Sequence, residues 1–480
     1  MIFSSATFIL FFIAMLCLYQ LAASVQQRAA VLLAGSIMFY ASWEPVYLLL
    51  LGSSLFINHR IYLHILYSRS KIWLVFGIFC NLCVLGIFKY LGLFYESTLW
   101  IINLFDASVA VQHPGWMNWI LPLGISFFTF QMLSALIDAY RGEWKRAVNF
   151  REWSLYVTFF PQLIAGPIVR AHQLFDQLET LAPITSANLR TGSVIFVGGL
   201  IKKSLLADNL APVVEQLYQQ PAQLDFTLSW LATTAFGMQI YLDFSGYSEM
   251  AIGIAWILGI TLPRNFLYPY ISRNFSEFWT RWHITLSRWL RDYLYIPLGG
   301  SRCSGSRIYF NLMLTMLLGG LWHGAGWTFV FWGFLHGCYL MLFHGLSSLF
   351  QYLQIADNSA AGRLISLSGW PSTFILTSFT WVFFRSESFD QAWTICAAML
   401  GLADSTSELG SIRLYESVII LGSVIVVFLE PFIVKHIQTI GVDWWWHRIP
   451  FPVRGMTYAG LIMGLVVFGG ATQKFIYFDF

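Results

Sequence analysis

Charged residues are scarce in this sequence. They make up 11% of its 480 residues, against about 25% in an average soluble domain, and the mean hydropathy is +0.64. A chain with so few charges cannot cover a soluble fold of this length with a polar surface. The net charge of +3 is small and dispersed, so it gives no indication of nucleic-acid binding. Apolar runs of about 20 residues recur instead, which is the length of a membrane-spanning helix.

Several enzyme motifs are also missing. The sequence contains no G-x-S-x-G nucleophile turn, no Walker phosphate-binding loop and no metal-ligand spacing. We therefore expect no bound metal and no resident cofactor. The six cysteines are scattered, and Cys80 and Cys83 lie inside an apolar run. We interpret this C-x-x-C pair as a packing feature rather than a redox or zinc site.

The apolar runs show no period-2 alternation of the kind found in membrane β-barrels. The sequence therefore predicts an all-α polytopic membrane protein with about eleven transmembrane helices plus re-entrant or interfacial helices. We expect a single domain over residues 1–480. Met1–Leu21 has no basic flank, so we interpret it as a retained first span rather than a signal peptide. Prolines and lysines interrupt residues 157–260, where the number of spans stays open.

The positions of the basic residues predict the orientation. Arg28, Lys71 and the cluster Arg141–Arg151 fall on one side of the membrane if the N-terminus lies outside the cell. The positive-inside rule makes that side the cytoplasm. The segment Arg264–Tyr309 holds seven Arg and many Trp and Tyr, which is too polar to span a bilayer. We expect it to form interfacial or re-entrant helices on the cytoplasmic side.

Polar residues interrupt the apolar sequence in four places, at Phe160–Arg170, Gln239–Glu249, Phe278–Gly300 and Gly319–Trp327. Ionisable groups and broken helices at membrane depth are costly unless they line a cavity. These four polar segments together predict a wet or substrate-filled site inside the helical bundle.

His323 is the strongest candidate for a catalytic group. It lies in a very apolar stretch, and neighbouring glycines would let the backbone approach a ligand closely, at Gly319, Gly320, Gly324 and Gly326. A neutral imidazole there could take a proton from a hydroxyl and later return it, as acyl transfer requires. The alternative is a hydrogen-bonded core histidine. His336 follows 13 residues later, a spacing also found in two-haem helices, but no second helix supplies a matching pair. We therefore expect His336 to support the site.

Each of the other polar residues allows a functional and a structural interpretation. His283 follows a Trp-rich segment and could orient an acyl donor or stabilise charge, or simply anchor the chain at the interface. Asp243 could hold the site together through Ser245 or an Arg, or form a structural ion pair or helix cap, and Asp138 is a similar carboxylate. Arg170 could bind a phosphate of the donor, or extend to the membrane interface.

The sequence resembles the membrane-bound O-acyltransferase family in six stretches, Ile137–Arg141, Phe159–Arg170, Gln239–Gly253, Phe278–Gly300, Gly319–Trp327 and Phe475–Phe478. Within the family they are similar to the bacterial membrane subunits that acetylate alginate. Thr280 and Glu249 depart from the family pattern, whereas both histidines match it.

The resemblance implies a ring of helices around a central tunnel, with His323 and His283 as the catalytic pair. Supporting or tunnel-lining roles would fall to Trp282, Trp322, Gly324, His336, Asp243 and Arg170. The acyl donor would be acetyl-CoA in the cytoplasm, and the protein would lie in the bacterial inner membrane. A periplasmic partner of SGNH-esterase type would pass acetyl to an exopolysaccharide such as alginate. The alternative is a transporter of polysaccharide or lipid-linked sugar, because transporters also contain broken helices. The sequence leaves the polymer and the immediate acceptor open.

Overall fold

The computed structural model describes residues 1–105, 114, 120–354, 359–403, 414–441, 448–470, 473 and 475–476. Throughout these residues the secondary structure is helical, without a β-strand, which confirms the predicted all-α class. Tyr477 and Phe478, the end of the stretch Phe475–Phe478 that resembles the family, lie outside the described residues.

The first part of the chain forms helices joined by short connections. They are α1 (Ala6–Leu21), α2 (Val25–Ala41), α3 (Tyr47–Ser68), α4 (Lys71–Leu85), a π-helical turn (Gly86–Tyr90), α5 (Leu91–Phe105) and α6 (Ile125–Arg141). Ser24 and Gln27 form a capping box that starts α2 after a connection of three residues from the end of α1, so the two helices make a tight hairpin. A second hairpin turns at Pro45, between α2 and α3.

The middle of the chain is broken into short pieces before one long helix. The elements are α7 (Phe150–Thr158), α8 (Phe160–Leu163), α9 (Ala171–Leu178), α10 (Ser186–Leu200), a π-helical segment (Ile201–Ala207), α11 (Asp208–Gln219) and α12 (Phe226–Ile257). Pro161 lies in the first turn of α8 and Pro167 follows the helix, which explains why residues 157–169 form no straight span. In contrast, α12 continues for 32 residues through the second polar segment.

The last part contains short helices followed by long ones. They are α13 (Phe275–Arg281), α14 (Ile284–Leu290), a π-helical turn (Arg291–Tyr295), α15 (Gly305–His323), α16 (Trp327–Tyr352), α17 (Ala360–Arg385), α18 (Phe389–Met399), α19 (Leu414–Ile440) and α20 (Phe451–Phe468). The sequence predicts a polar connection up to Ser368, but α17 already begins at Ala360 with Ser359 as its N-cap. The sequence also gives no indication of α18.

Four helical stretches among the described residues are long and apolar enough to cross a membrane. They are Lys71–Phe105, Trp327–Tyr352, Leu414–Ile437 and Phe451–Phe468, and Ala6–Leu21 is a shorter apolar helix. The protein is therefore a multi-pass membrane protein, and the total of eleven spans stays a prediction.

Glycines bring α10 and α12 into backbone contact. A β-carbon on Gly246 would collide with the carbonyl oxygen of Gly199, and one on Gly253 with that of Gly192. Small residues at such positions let membrane helices approach closely. This contact fixes α12, the central helix of the bundle, against the π-helical segment that follows α10.

That π-helical segment carries two buried lysines, each facing two carboxylates of the bundle. Lys203 Nζ lies 2.6 Å from Asp208 Oδ1 and 2.6 Å from Asp243 Oδ1. Lys202 pairs with Glu249 at 2.5 Å and also with Glu430, which comes from α19. The sequence suggests Ser245 or an Arg as the partner of Asp243, but the partner is Lys203. These ion pairs connect α11, α12 and α19 inside an apolar bundle.

Asp243 also binds the end of the described chain. Its Oδ2 accepts a hydrogen bond from the backbone N–H of Ile476 at 2.8 Å. Phe475 is fully buried, with its ring 5.6 Å from Phe244 and 4.6 Å from Tyr247. The C-terminal segment is therefore inserted into the core beside α12.

These ion pairs predict a large effect of removing one lysine. Lys203→Met should destabilise the protein by about 3–5 kcal/mol, because it leaves Asp208 and Asp243 buried without their cation. The measurement is the midpoint temperature at which the detergent-purified protein loses its monodisperse elution peak. Lys145→Met, at an exposed position, is the control and should leave the midpoint unchanged. An unchanged midpoint in Lys203→Met would show that the two carboxylates do not depend on this cation.

Candidate active site

His323 is the last residue of α15 and is 2% exposed. The chain leaves the helix immediately after it, since Gly324 is extended with φ −155° and ψ 150°. Helix α15 packs tightly against α16, because a β-carbon on Gly320 would collide with the carbonyl oxygen of Phe329. The imidazole is thus held at a helix end inside the bundle rather than on a flexible loop.

His283 lies in the connection between α13 and α14 and is fully buried. Its backbone is left-handed, with φ 39° and ψ 55°, a costly conformation for a residue other than glycine. Asn265 holds this connection: its carbonyl accepts from Ile284 N at 2.8 Å, and its Oδ1 accepts from Thr285 Oγ1 at 2.6 Å. Thr285 Oγ1 in turn accepts from Ile168 N at 3.0 Å. Two of the predicted polar segments therefore meet at His283.

The structure brings the two histidines together. Their ring centroids are 6.5 Å apart, and Trp322 contacts both rings edge-on at 5.9 Å and 5.0 Å. Among the described residues, neither ring nitrogen of His283 has a hydrogen-bond partner. A buried polar group without a partner costs about 1–3 kcal/mol. The imidazole of His283, packed against Trp322, is therefore a candidate for binding a substrate that would supply the missing hydrogen bond.

A cavity of about 80 Å³ reaches His323, and we call it the His323 cavity. It is lined by Trp43, Lys89, Ile120, Leu121, Pro122, Leu123, Gly124, Ile125, Ser126, Phe127, Ile164, Trp322 and His323. A second cavity of about 310 Å³, the arginine cavity, is lined by Ile168, Arg170, Gln173, Pro263, Thr285, Arg288, Arg291 and Asp292.

The two cavities lie at opposite ends of α6. Ile125 at its start lines the His323 cavity, and Arg141 at its end donates to the backbone carbonyl of Asp292 at 3.2 Å. Seventeen residues of helix span about 25 Å. His283 lies between them, because its ring is 6.5 Å from that of Phe127 and Thr285 lines the arginine cavity.

The arginine cavity carries a positive charge. Arg170 pairs with Asp292, and Arg291 Nε donates to the same carboxylate at 2.7 Å. Burial raises the pKa of Asp292, but the hydrogen bonds from Arg291 and Arg170 outweigh it and hold this pKa below its usual value. The ionised carboxylate neutralises one of the arginines. Arg288 has no ion-pair partner among the described residues, so the cavity keeps a net positive charge.

The remaining predicted residues lie around the histidines at different distances. His336 is buried, and the ring of Trp332 lies between it and His323. The centroid of the Trp332 ring is 4.9 Å from that of His323 and 4.6 Å from that of His336. His336 Nε2 lies 3.1 Å from Thr380 Oγ1. Trp282 packs between Phe266 and Trp381, at ring distances of 5.1 Å and 4.9 Å.

Asp243, Asp138 and Arg170 lie apart from the two imidazoles. Asp243 precedes Phe244, whose ring is 4.7 Å from that of His283. Asp138 accepts a hydrogen bond from Tyr293 Oη at 2.7 Å, and Arg170 lies in the arginine cavity with its guanidinium 5.2 Å from the Tyr293 ring. Sequence reasoning missed Lys89, Asn265 and Thr285. A signal existed for Lys89, which is the only charged residue between Lys71 and Glu96.

Comparisons with known proteins identify the family to which the chain belongs. The sequence model of the membrane-bound O-acyltransferase family matches residues 57–385. The chain is 40% identical over 424 residues, 86% of its length and 81% of the relative's, to the probable alginate O-acetylase AlgI of Azotobacter vinelandii. It is 37% identical over 401 residues (77% and 73%) to the peptidoglycan O-acetyltransferase of Helicobacter pylori. It is 30% identical over 240 residues (47% and 59%) to the teichoic acid D-alanyltransferase of Bacillus subtilis. The predicted resemblance is confirmed, and the chain is an O-acyltransferase that belongs to the membrane-bound O-acyltransferase family.

Proposed function

We propose that this protein transfers acetyl from acetyl-CoA to a hydroxyl acceptor, one step in the O-acetylation of an exopolysaccharide such as alginate. The observation that carries the proposal is the pair of buried histidines, 6.5 Å apart, between cavities at opposite ends of α6. Donor and acceptor would approach from opposite faces and meet at these rings. The relatives support the acetyl group and the acceptor class, because two of them are named for alginate and peptidoglycan, both carbohydrate polymers.

The arginine cavity would bind the donor. Coenzyme A carries several phosphate charges, and Arg288 offers a guanidinium without an ion-pair partner in the described part of the chain. Planar guanidinium groups suit phosphate oxygens. Thr285, two residues from His283, lines the same cavity, so a donor bound there would direct its thioester end toward His283.

The reaction needs one base and one hydrogen-bond donor. On this proposal His323 removes the proton from the acceptor hydroxyl while its oxygen forms a bond to the thioester carbonyl carbon. An N–H of His283 stabilises the negative charge on the carbonyl oxygen. The carbon–sulfur bond then breaks, the proton passes from His323 to the departing thiolate, and an acetyl ester and a free thiol remain.

The acceptor would reach His323 through the His323 cavity. The turn at Trp43 and the residues from Ile120 to Phe127 line this cavity, and both would lie on the periplasmic side of the inner membrane. A periplasmic SGNH-type partner could present its own hydroxyl there and pass acetyl on to the polymer.

This orientation predicts the accessibility of two engineered cysteines. A cysteine at Gly305, where a β-carbon meets no neighbouring atom, should react with an impermeant thiol reagent only after the cells are opened. A cysteine at Glu44, in the turn between α2 and α3, should react in intact cells. Both are introduced into a variant whose six own cysteines are serine. Labelling of the Gly305 position in intact cells would overturn the orientation.

His323 should be required for transfer. His323→Ala should lower acetyl transfer by about 10²–10⁴-fold, the usual contribution of a general base. The measurement is release of free thiol from acetyl-CoA by purified protein together with acetylation of the polymer in cells. His336→Ala is the matched control, because it removes a buried imidazole that does not line the His323 cavity, and it should keep most of the activity.

Both variants must elute and unfold like the wild type for the comparison to count. Near-normal transfer by a folded His323→Ala protein would rule out the assignment of the base. The same assay separates the enzyme from a transporter, since a transporter would release no thiol in wild-type form.

The arginine cavity predicts a donor-specific effect. Arg288→Gln should raise KM for acetyl-CoA about tenfold or more with a smaller change in kcat, because a hydrogen bond between charged groups contributes about 1.5–3 kcal/mol. Acetyl-pantetheine lacks the phosphates, and its KM should therefore not respond to the substitution. Arg302→Gln, exposed and outside the cavity, is the control. Equal effects on both donors would show that Arg288 does not bind a phosphate.

A further inference from the structure

Lys89 is a buried lysine with no role in the proposed reaction. It is the only charged residue between Lys71 and Glu96, and it is 8% exposed. It lies in the π-helical turn that separates α4 from α5. Single π-helical turns inside α-helices occur frequently at functional sites. A lysine kept in such an apolar segment needs a specific reason.

Its contacts are with the end of the helix that carries His323. Lys89 Nζ donates to the carbonyl oxygen of Trp322 at 2.5 Å and to that of His323 at 3.2 Å. The neighbouring Tyr90 Oη donates to the carbonyl oxygen of Leu321 at 3.0 Å. These are the last three carbonyls of α15, which have no partner within an α-helix that ends at His323.

The usual ways to end a helix are not used here. Gly324 is extended rather than left-handed, so it does not form the common glycine cap. Water is scarce at membrane depth, and each unsatisfied carbonyl there is costly. A cation at the carbonyl end also interacts favourably with the helix dipole. Lys89 thus allows α15 to stop at His323 inside the bundle.

We propose that Lys89 is a positioning residue for His323, which ends α15 at the imidazole by binding the carbonyls of Trp322 and His323. This inference rests on the proposed function, because it assigns Lys89 a role through the base of that reaction. Lys89 also lines the His323 cavity, so the cation and the imidazole border the same space. Without the cation, the last turn of α15 would open and His323 would lose its fixed orientation toward the acceptor.

Lys89→Met tests this with two readouts. The first is steady-state transfer: kcat should fall about tenfold or more while KM for acetyl-CoA stays the same, because misplacing a base affects the chemical step and the arginine cavity is distant. The second is backbone hydrogen exchange of peptides covering residues 316–326, which should become faster in the variant as the last turn of α15 frays. Lys71→Met, at an exposed position of the preceding helix, is the control and should change neither.

Two further variants make the outcome decisive. Lys89→Arg keeps the charge and the donors and should recover much of kcat and of the exchange protection. Lys89→Gln, which keeps a donor without the charge, replaces Lys89→Met if that variant does not fold, with the same expected direction. Unchanged kcat and exchange in a folded variant would overturn the inference, and so would faster exchange spread over all of α15 and α16. If wild-type protein transfers no acetyl, the proposed function fails, while the exchange measurement still decides whether Lys89 holds the helix end.

Discussion

A hydrogen-bonding group buried in this bundle must find its partner within the protein, because surrounding hydrocarbon supplies none. This constraint accounts for several contacts between distant parts of the chain. Lys203 joins Asp208 and Asp243, and Asp243 then accepts from the amide of Ile476. Lys89 does the same for the carbonyls at the end of α15. Each polar side chain therefore fixes one apolar helix against another at a defined position.

The same constraint makes His283 conspicuous. Its backbone is held in a left-handed conformation by Asn265 and Thr285, and its ring is packed among aromatic side chains with no hydrogen-bond partner in the described part of the chain. Other buried polar atoms also lack a hydrogen bond, but among the described residues His283 is the buried histidine that lacks one at both ring nitrogens, and it does so with a strained backbone. On the proposed function, the missing partner is the substrate. An N–H of His283 that is already oriented lowers the cost of stabilising charge on the carbonyl oxygen during the reaction.

Sequence reasoning predicted the class of fold and the polar segments that the structure brings together around the two histidines, because polar residues in apolar helices stand out by composition alone. The four polar segments do contain both histidines and Thr285, but not Asn265 or Lys89, which also hold them. It could not predict which buried charge pairs with which. Lys89 and His323 are 234 residues apart, and Asp243 and Ile476 are 233 apart, so only the packing of helices decides these contacts. The helix α17 also begins earlier than predicted, since Ser359 caps a segment whose polarity suggests a connection.

The two cavities are separate, and their separation bears on how acetyl transfer would avoid hydrolysis of the donor. They share no lining residue in the described part of the chain, and aromatic rings of Phe127, Phe244 and Trp322 surround His283 between them. On the proposed function, water in either cavity would have to pass these rings to reach the space between the histidines. A thioester bound there would meet the acceptor hydroxyl before it meets bulk water, and exclusion of water would also strengthen the hydrogen bonds that act on the carbonyl oxygen. The arginines lie at the far end of α6, so they can hold the charged part of a donor without bringing its hydration shell to the reacting carbon.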